Sequence, residues 1–303
     1  MARTRLTNSR QADTDRERKM VSFPIVDSHV HLYDPGRFPY TWMKDVPKLN
    51  SPHLPADYLA AIGTLPVERI VFVEVWVDKP QQMAEAEWVS SLVESMPQLR
   101  GIVASVSLEE GAGIEGDLAR LAGMEHVKAV RRLIEFEPDI DFCLQPGFIE
   151  GVKLLAKYDL SFDICVKHHQ LANAVELVRR CPEVRFVLDH IGKPPIEAGE
   201  FDPWRKDLRA MAALPNVCCK ISGVITEADH DNWTREQLRP YLDHAIGAFG
   251  IDRVMFGSDW SVSTLTHAYG EWVDIVEWTM SGSSESEMRK LFRDNAISFY
   301  RLP

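Results

Sequence analysis

From Phe23 onward the chain alternates short, β-branched apolar runs with longer segments whose apolar residues recur at helical spacing. Eight runs read as strands: FPIVDSHV, RIVFVEVW, GIVASVSL, VKAVRRLI, LSFDICV, VRFVLDH, VCCKISG and RVMFGSD. The segments between and after them predict helices beginning near Pro55, Pro80, Ile114, Gln145, Gln170, Pro203, Arg235 and Glu285. Several carry start signals, a proline in the first turn at Pro55 and Pro203 or a polar cap at Thr234 and Ser284. Short turns such as MPQLR and CPEVR return the chain to the next strand.

Strict β/α alternation implies a parallel sheet with right-handed crossovers, and eight units fit an α/β fold closed as a (β/α)₈ TIM barrel. The competing architecture is an open doubly wound sheet, but no GxGxxG or GxxxxGK[ST] follows the first strand. We expect a flexible N-terminal extension over residues 1–22, which is polar and has little to bury, and a single barrel domain over 23–303.

Composition narrows the partners. A net charge of -11 and a pI near 5.4 argue against a nucleic-acid surface. No stretch approaches eighteen uninterrupted apolar residues, so no membrane span is expected. The five cysteines show no CxxC spacing and read as reduced thiols of a cytoplasmic protein, with Cys165, Cys218 and Cys219 packed in strands. The expected partners are a small molecule and, at most, further copies of the chain in a homo-oligomer.

Polar residues interrupt this apolar pattern in a systematic way. In the first strand Asp27, His29 and His31 stand at every second position, so alternation places them with Ile25 on one face, and Val26, Ser28, Val30 and Leu32 on the other. The first face is expected inside the barrel, with the histidines nearest the C-terminal rim where barrel active sites are built. A single such histidine is more often a hydrogen-bonded core residue, but two with an aspartate on one inward face favour function. Glu74, Asp163, Asp189, His190, Lys220 and Asp259 each close an apolar run in the same manner. Glu74 reads equally as a sugar or metal contact and as the partner of Arg131 or Lys220. Of Arg131 and Arg132, one faces inward and could hold an oxyanion, and the pattern does not say which. The long segment from Tyr33 to Pro55 carries Tyr33, Phe38, Tyr40 and Trp42, suited to stacking on a sugar ring, to a lid, or to a self-pinned loop. Trp260 and His267 follow the eighth strand, whereas His53, His126, His230 and His244 read as surface residues.

DSHVHL in the first strand, FVLDHIGKP in the sixth and MFGSDW in the eighth resemble, in that order, the sugar-lactonase branch of the amidohydrolase superfamily, over about Ile25 to Tyr300. The branch contains L-fuconolactonase, L-rhamnono-lactonase and 2-pyrone-4,6-dicarboxylate lactonase. The resemblance implies a distorted (β/α)₈ barrel that hydrolyses a small cyclic ester. Carried over residue by residue, it makes Asp259 the general base, with His190, His29 and His31 as catalytic or carbonyl-polarising groups. Glu74, Arg131, Asp163, Lys220, Trp42 and Trp260 are the substrate-binding candidates. It further implies one divalent ion, Zn²⁺ or Mn²⁺, held by His29, His31 and Asp259 and dispensable for chemistry, with no organic cofactor. Related decarboxylases and binuclear amidohydrolases carry a metal-binding His or carboxylated Lys near strands four or five, whereas here Asp163 stands at that place and His168 and His169 follow later. The alternative activity is a metal-dependent decarboxylase or C–N amidohydrolase on the same barrel.

Overall fold

The structure, a computed structural model, describes residues 21–303. The expected extension therefore lies almost wholly outside the described residues, though Val21 at its end is buried beside Phe23 in the core. Strands β1 (Ile25–Val30), β2 (Val67–Val73), β3 (Leu99–Ser105), β4 (Val127–Arg131), β5 (Ser161–Ile164), β6 (Phe186–Leu188), β7 (Val217–Ile221) and β8 (Val254–Phe256) form one parallel sheet in sequential order. Outside it lie α1 (Pro55–Ile62), α2 (Gln82–Leu92), α3 (Glu115–Ala122), α4 (Pro146–Lys157), α5 (Leu171–Arg180), α6 (Trp204–Ala212), α7 (Arg235–Phe249) and α8 (Tyr269–Thr279). The chain ends in α9 (Glu285–Arg289) and α10 (Asn295–Tyr300). The expectation that the eighth helix begins at Glu285 is corrected: α8 comes first, burying Tyr269, Trp272, Val273 and Val276 at helical spacing. The Thr234 and Ser284 caps form, their hydroxyls accepting from the amides of Gln237 and Glu287.

No ladder joins β8 to β1. A bridge between Val30 and Trp260 brings the sheet ends together instead, with the His31 amide donating to the Trp260 carbonyl (2.6 Å) and the Asp259 amide to the His29 carbonyl (3.0 Å). The nearly closed barrel is thus sewn by the residues singled out for chemistry. Its interior is lined with small or slender side chains, among them Val26, Val71, Val103, Ala129 and Val187. That leaves room for Ala296, Phe299, Tyr300 and Leu302 of the C-terminal segment to pack in the same cluster.

The first strand departs from simple alternation. Between Asp27 and Val30 it advances three residues while β2 advances two, from Ile70 to Phe72, which is a β-bulge. Val26 accordingly packs in the interior cluster, whereas Ile25 and Val30 pack in the outer core with the helices. Asp27 turns outward to the hydroxyls of Tyr58 in α1 and Tyr269 in α8, each 3.0 Å away. The expectation that Ile25 and Asp27 share the inward face of His29 and His31, with Val26 outside, is therefore corrected. The extra residue moves both histidines inward and leaves Asp27 behind.

Candidate active site

Asp27 serves the site from outside. Its Oδ1 accepts from the amides of His29 (3.2 Å) and Ser258 (2.8 Å), locking the bulge to the turn that carries Asp259. Burial raises its pKa, with the Ser258 hydrogen bonds opposing. At the next layer the Nε2 atoms of His29 and His31 lie 3.2 Å apart, and Asp259 Oδ1 stands 3.6 Å and 3.3 Å from them. His190 Nε2 is 3.9 Å from the same oxygen, and its Nδ1 is paired with Ser222 Oγ at 2.9 Å.

The backbone is strained where it delivers these groups. His190, Ile191, Lys193 and Asp259 all have φ between 46° and 59°, a left-handed region that costs side-chain-bearing residues energy and clusters at functional sites. Two glycines keep the space open. A Cβ on Gly257 would come within 2.8 Å of His29 Cβ, and one on Gly223 within 2.3 Å of His190 Nδ1 and 2.9 Å of Asp259 Oδ2.

Electrostatics fix the charge states. Burial would raise the Asp259 carboxyl, but His190 and the His31 hydrogen bond outweigh it and hold the group well below the usual carboxylate range. Burial, reinforced by Lys220, pushes His29 well down, and burial lowers His190 against the pull of Asp259. The Asp259 carboxylate thus faces His29 and His190, two imidazoles whose protonation burial disfavours. Beneath them Lys220 Nζ contacts Asp163 (2.6 Å), Asp189 (3.0 Å) and His29 Nδ1 (3.2 Å). Burial opposes the Lys220 charge, yet Asp163 and Asp189 prevail and raise its pKa. Asp189 is held well below the normal range because Lys220 and His29 outweigh its burial.

Above this floor is a cavity of about 180 Å³, lined by His31, Arg131, Glu135, His190, Lys193 and Asp259 among others. Arg131, rather than Arg132, faces it: its Nε donates to Glu74 Oε1 (2.6 Å) and its Nη1 to Asp189 (3.2 Å). Arg132 points elsewhere, to Glu109 and Glu137. Glu74 is therefore the partner of Arg131. Trp42 lines the cavity, its indole N–H fixed on the Val75 carbonyl at 2.9 Å, but Tyr33, Phe38 and Tyr40 of the same loop are buried. Three expected substrate contacts are placed elsewhere. Asp163 and Lys220 are fully buried beneath the histidines, paired with each other, and Trp260 packs edge-on against Tyr58 and His53. His53 is half-buried rather than a free surface residue.

Sequence reasoning passed over Lys193 and Glu135, which meet across the cavity wall at 2.5 Å. Lys193 stands inside the quoted FVLDHIGKP, three residues past His190, and Glu135 just beyond the fourth strand. The available signal was a charge within a few residues of a strand end, the same signal that found the others.

The donor set fits a divalent ion. Tetrahedral zinc with donors at about 2.0–2.2 Å requires donor–donor edges of about 3.3–3.6 Å. The three separations among His29 Nε2, His31 Nε2 and Asp259 Oδ1, 3.2–3.6 Å, match. His31 Nδ1 lies 2.8 Å from the Val73 carbonyl and His29 Nδ1 3.4 Å from Asp189, the outer contacts that aim Nε2 lone pairs at a metal.

Known proteins share this arrangement of chain. The model of the family described as Amidohydrolase matches residues 26–302. An uncharacterized Sinorhizobium fredii protein, y4mH, is 31% identical over 93% of this chain and all of its own. The L-fucono-1,5-lactonase of Burkholderia ambifaria is 27% identical, over 91% of this chain and 95% of that enzyme. A zinc-bound amidohydrolase structure from Burkholderia multivorans superposes with a TM-score of 0.81 at 28% identity, covering 93% of this chain and 100% of the other. No helix among the described residues is long and apolar enough to cross a membrane. The chain belongs to the amidohydrolase family.

Proposed function

We propose that the protein opens a neutral, polyhydroxylated sugar lactone by hydrolysis, with Asp259 as general base. The observation that carries this reading is the ionised Asp259 carboxylate at the floor of a small cavity, ringed by three imidazoles and faced by Arg131. Its similarity to L-fucono-1,5-lactonase supports the substrate class.

In this mechanism Asp259 takes a proton from water as the oxygen attacks the ester carbonyl, and returns it to the ring oxygen when the acyl C–O bond breaks. His29 and His31 flank the carboxylate, their Nε2 atoms 3.6 Å and 3.3 Å from Asp259 Oδ1. Arg131 and His190 present N–H donors to the carbonyl oxygen as negative charge develops on it. A divalent ion held by His29, His31 and Asp259 would supply Lewis acidity and a water of lowered pKa.

The cavity cations favour a neutral substrate. Arg131 is clamped between Glu74 and Asp189, and Lys193 between Glu135 at 2.5 Å and Glu227 at 3.9 Å. The charge of each cation is thus already balanced, so a substrate carboxylate would bring an uncompensated negative charge into the cavity, whereas a Lys–Glu pair offers a donor and an acceptor to adjacent hydroxyls. The test is a pH-indicator screen of γ- and δ-aldonolactones, run with and without chelator, beside carboxylate-bearing lactones and aryl carboxylic acids. Turnover of neutral lactones at least about tenfold above the charged ones is expected. Decarboxylation without lactone turnover overturns the reading.

A further inference from the structure

The cavity has a neighbour: an outer cleft of about 620 Å³ adjoins it, and the two share Trp42, Val46, Trp76, Leu133 and Phe136 as lining. The inner space suits one small ring, since its 180 Å³ falls below the roughly 300–1,000 Å³ common for ligand pockets. The outer space is left without a role by a single-ring substrate.

Its construction is specific. The rings of Trp76 and Phe136 stack face to face at the shared boundary, centroids 4.5 Å apart and planes within 3°. Four large apolar side chains are exposed among the described residues, and these are two of them, at 37% and 52%. Trp76 is held outward at a cost: its φ is 53°, and its amide donates to Glu74 Oε2 at 2.7 Å, the carboxylate that also grips Arg131. Beyond the aromatic pair, Gln82 lies between Ser105 Oγ (2.8 Å) and Ser107 Oγ (3.2 Å), with Asp45 and Asp78 also on the wall. The cations there are already engaged, Lys79 with Glu110 and Arg132 with Glu109 and Glu137. Exposed aromatic surface beside amide, hydroxyl and carboxylate groups suits the C–H groups and hydroxyls of a neutral pyranose, and carboxylates with no spare cation disfavour an acidic one.

The geometry points to a second sugar subsite: the substrate lactone carries a glycosyl group that packs against the Trp76–Phe136 pair in the outer cleft. This rests on the lactonase reading and extends it from a monosaccharide to a disaccharide lactone. The ring that reacts occupies the inner cavity, and the glycosyl group contributes binding alone, so its effect falls on KM.

The test compares D-glucono- and D-galactono-1,5-lactone with lactones oxidised from cellobiose, lactose and melibiose. At least one disaccharide lactone should exceed its parent in kcat/KM by about tenfold, mainly through KM. Phe136→Ala and Gln82→Ala should each bring that ratio below about three. If monosaccharide lactones turn over while every disaccharide lactone is slower, or if the ratio survives both substitutions, the subsite is refuted and the lactonase reading stands. If no lactone of either size turns over, both fall together.

Discussion

Replacing Gly223 by alanine probes whether His190 and Asp259 lie at the reacting atoms. The new methyl would sit 2.3 Å from His190 Nδ1, 2.8 Å from His190 Cγ and 2.9 Å from Asp259 Oδ2. Carbon atoms in contact prefer about 3.5–4.0 Å, so the imidazole must retreat by about 1 Å. That motion breaks the 2.9 Å contact between His190 Nδ1 and Ser222 Oγ. A displacement of this size at a catalytic group costs about 100-fold in rate, equivalent to about 2.7 kcal/mol of barrel chemistry lost. The left-handed backbone, φ +56°, adds about 1–2 kcal/mol of destabilisation for a Cβ-bearing residue. Gly63 supplies the control: its φ is +57° and nothing lies within 4 Å of its Cβ position, so Gly63→Ala meets the backbone cost without the crowding. Both variants should lower Tm by a few degrees, read by thermal unfolding. Only Gly223→Ala should lose kcat/KM on the preferred lactone. Retention of activity within threefold by Gly223→Ala, or an equal loss in Gly63→Ala, would refute the placement of His190 and Asp259 at the chemistry.

Asp259→Asn is nearly isosteric, and Asn tolerates the φ of 59° at this position; kcat should fall about 10²- to 10⁴-fold with Tm little changed, and near wild-type turnover would remove Asp259 as the base. Glu85 is buried and pushed up to about 8 by burial, helped by Glu74. The folded protein therefore keeps a proton that the unfolded chain releases near 4.5, so this contribution is whole below about pH 4.5 and is lost as pH rises through about 8. Tm measured from pH 5 to 8 should decline with pH more steeply in the wild type than in Glu85→Gln, and parallel profiles would contradict the assignment. Chelator-stripped protein titrated with Zn²⁺ should take up one ion per chain by elemental analysis and His31→Ala none; a full equivalent in the variant rules out the His29, His31 and Asp259 donor set.

The barrel was legible because alternation of period two with helical period is repeated eight times, and local pattern is what such a fold is built from. The strand-end polar residues were legible for the same reason: each interrupts an apolar run. What escaped is non-local. The bulge after Asp27 depends on the pairing of β1 with β2, so Asp27 read as a companion of the histidines when it is their outer anchor. Asp163 and Lys220 carry the same signature as Asp259, and only the depth of each strand end separates an ion pair at the floor from a group at the cavity. Lys193 owes its position to a run of left-handed residues that sequence periodicity does not describe.

The C-terminal segment has a consequence for folding order. Tyr300 packs in the interior cluster that includes Val26, Val71, Val187 and Met255, and it donates to Asp163 Oδ2 at 2.7 Å, the oxygen that meets Lys220. Through Lys220 that contact reaches His29. Residues from opposite ends of the described chain must therefore meet before these charges lose their water, which makes completion of the charge network a late, high-contact-order event. Activity regained during refolding should accordingly lag behind recovery of helical signal, and a protease nick between α8 and α10 should silence the site without touching its rim.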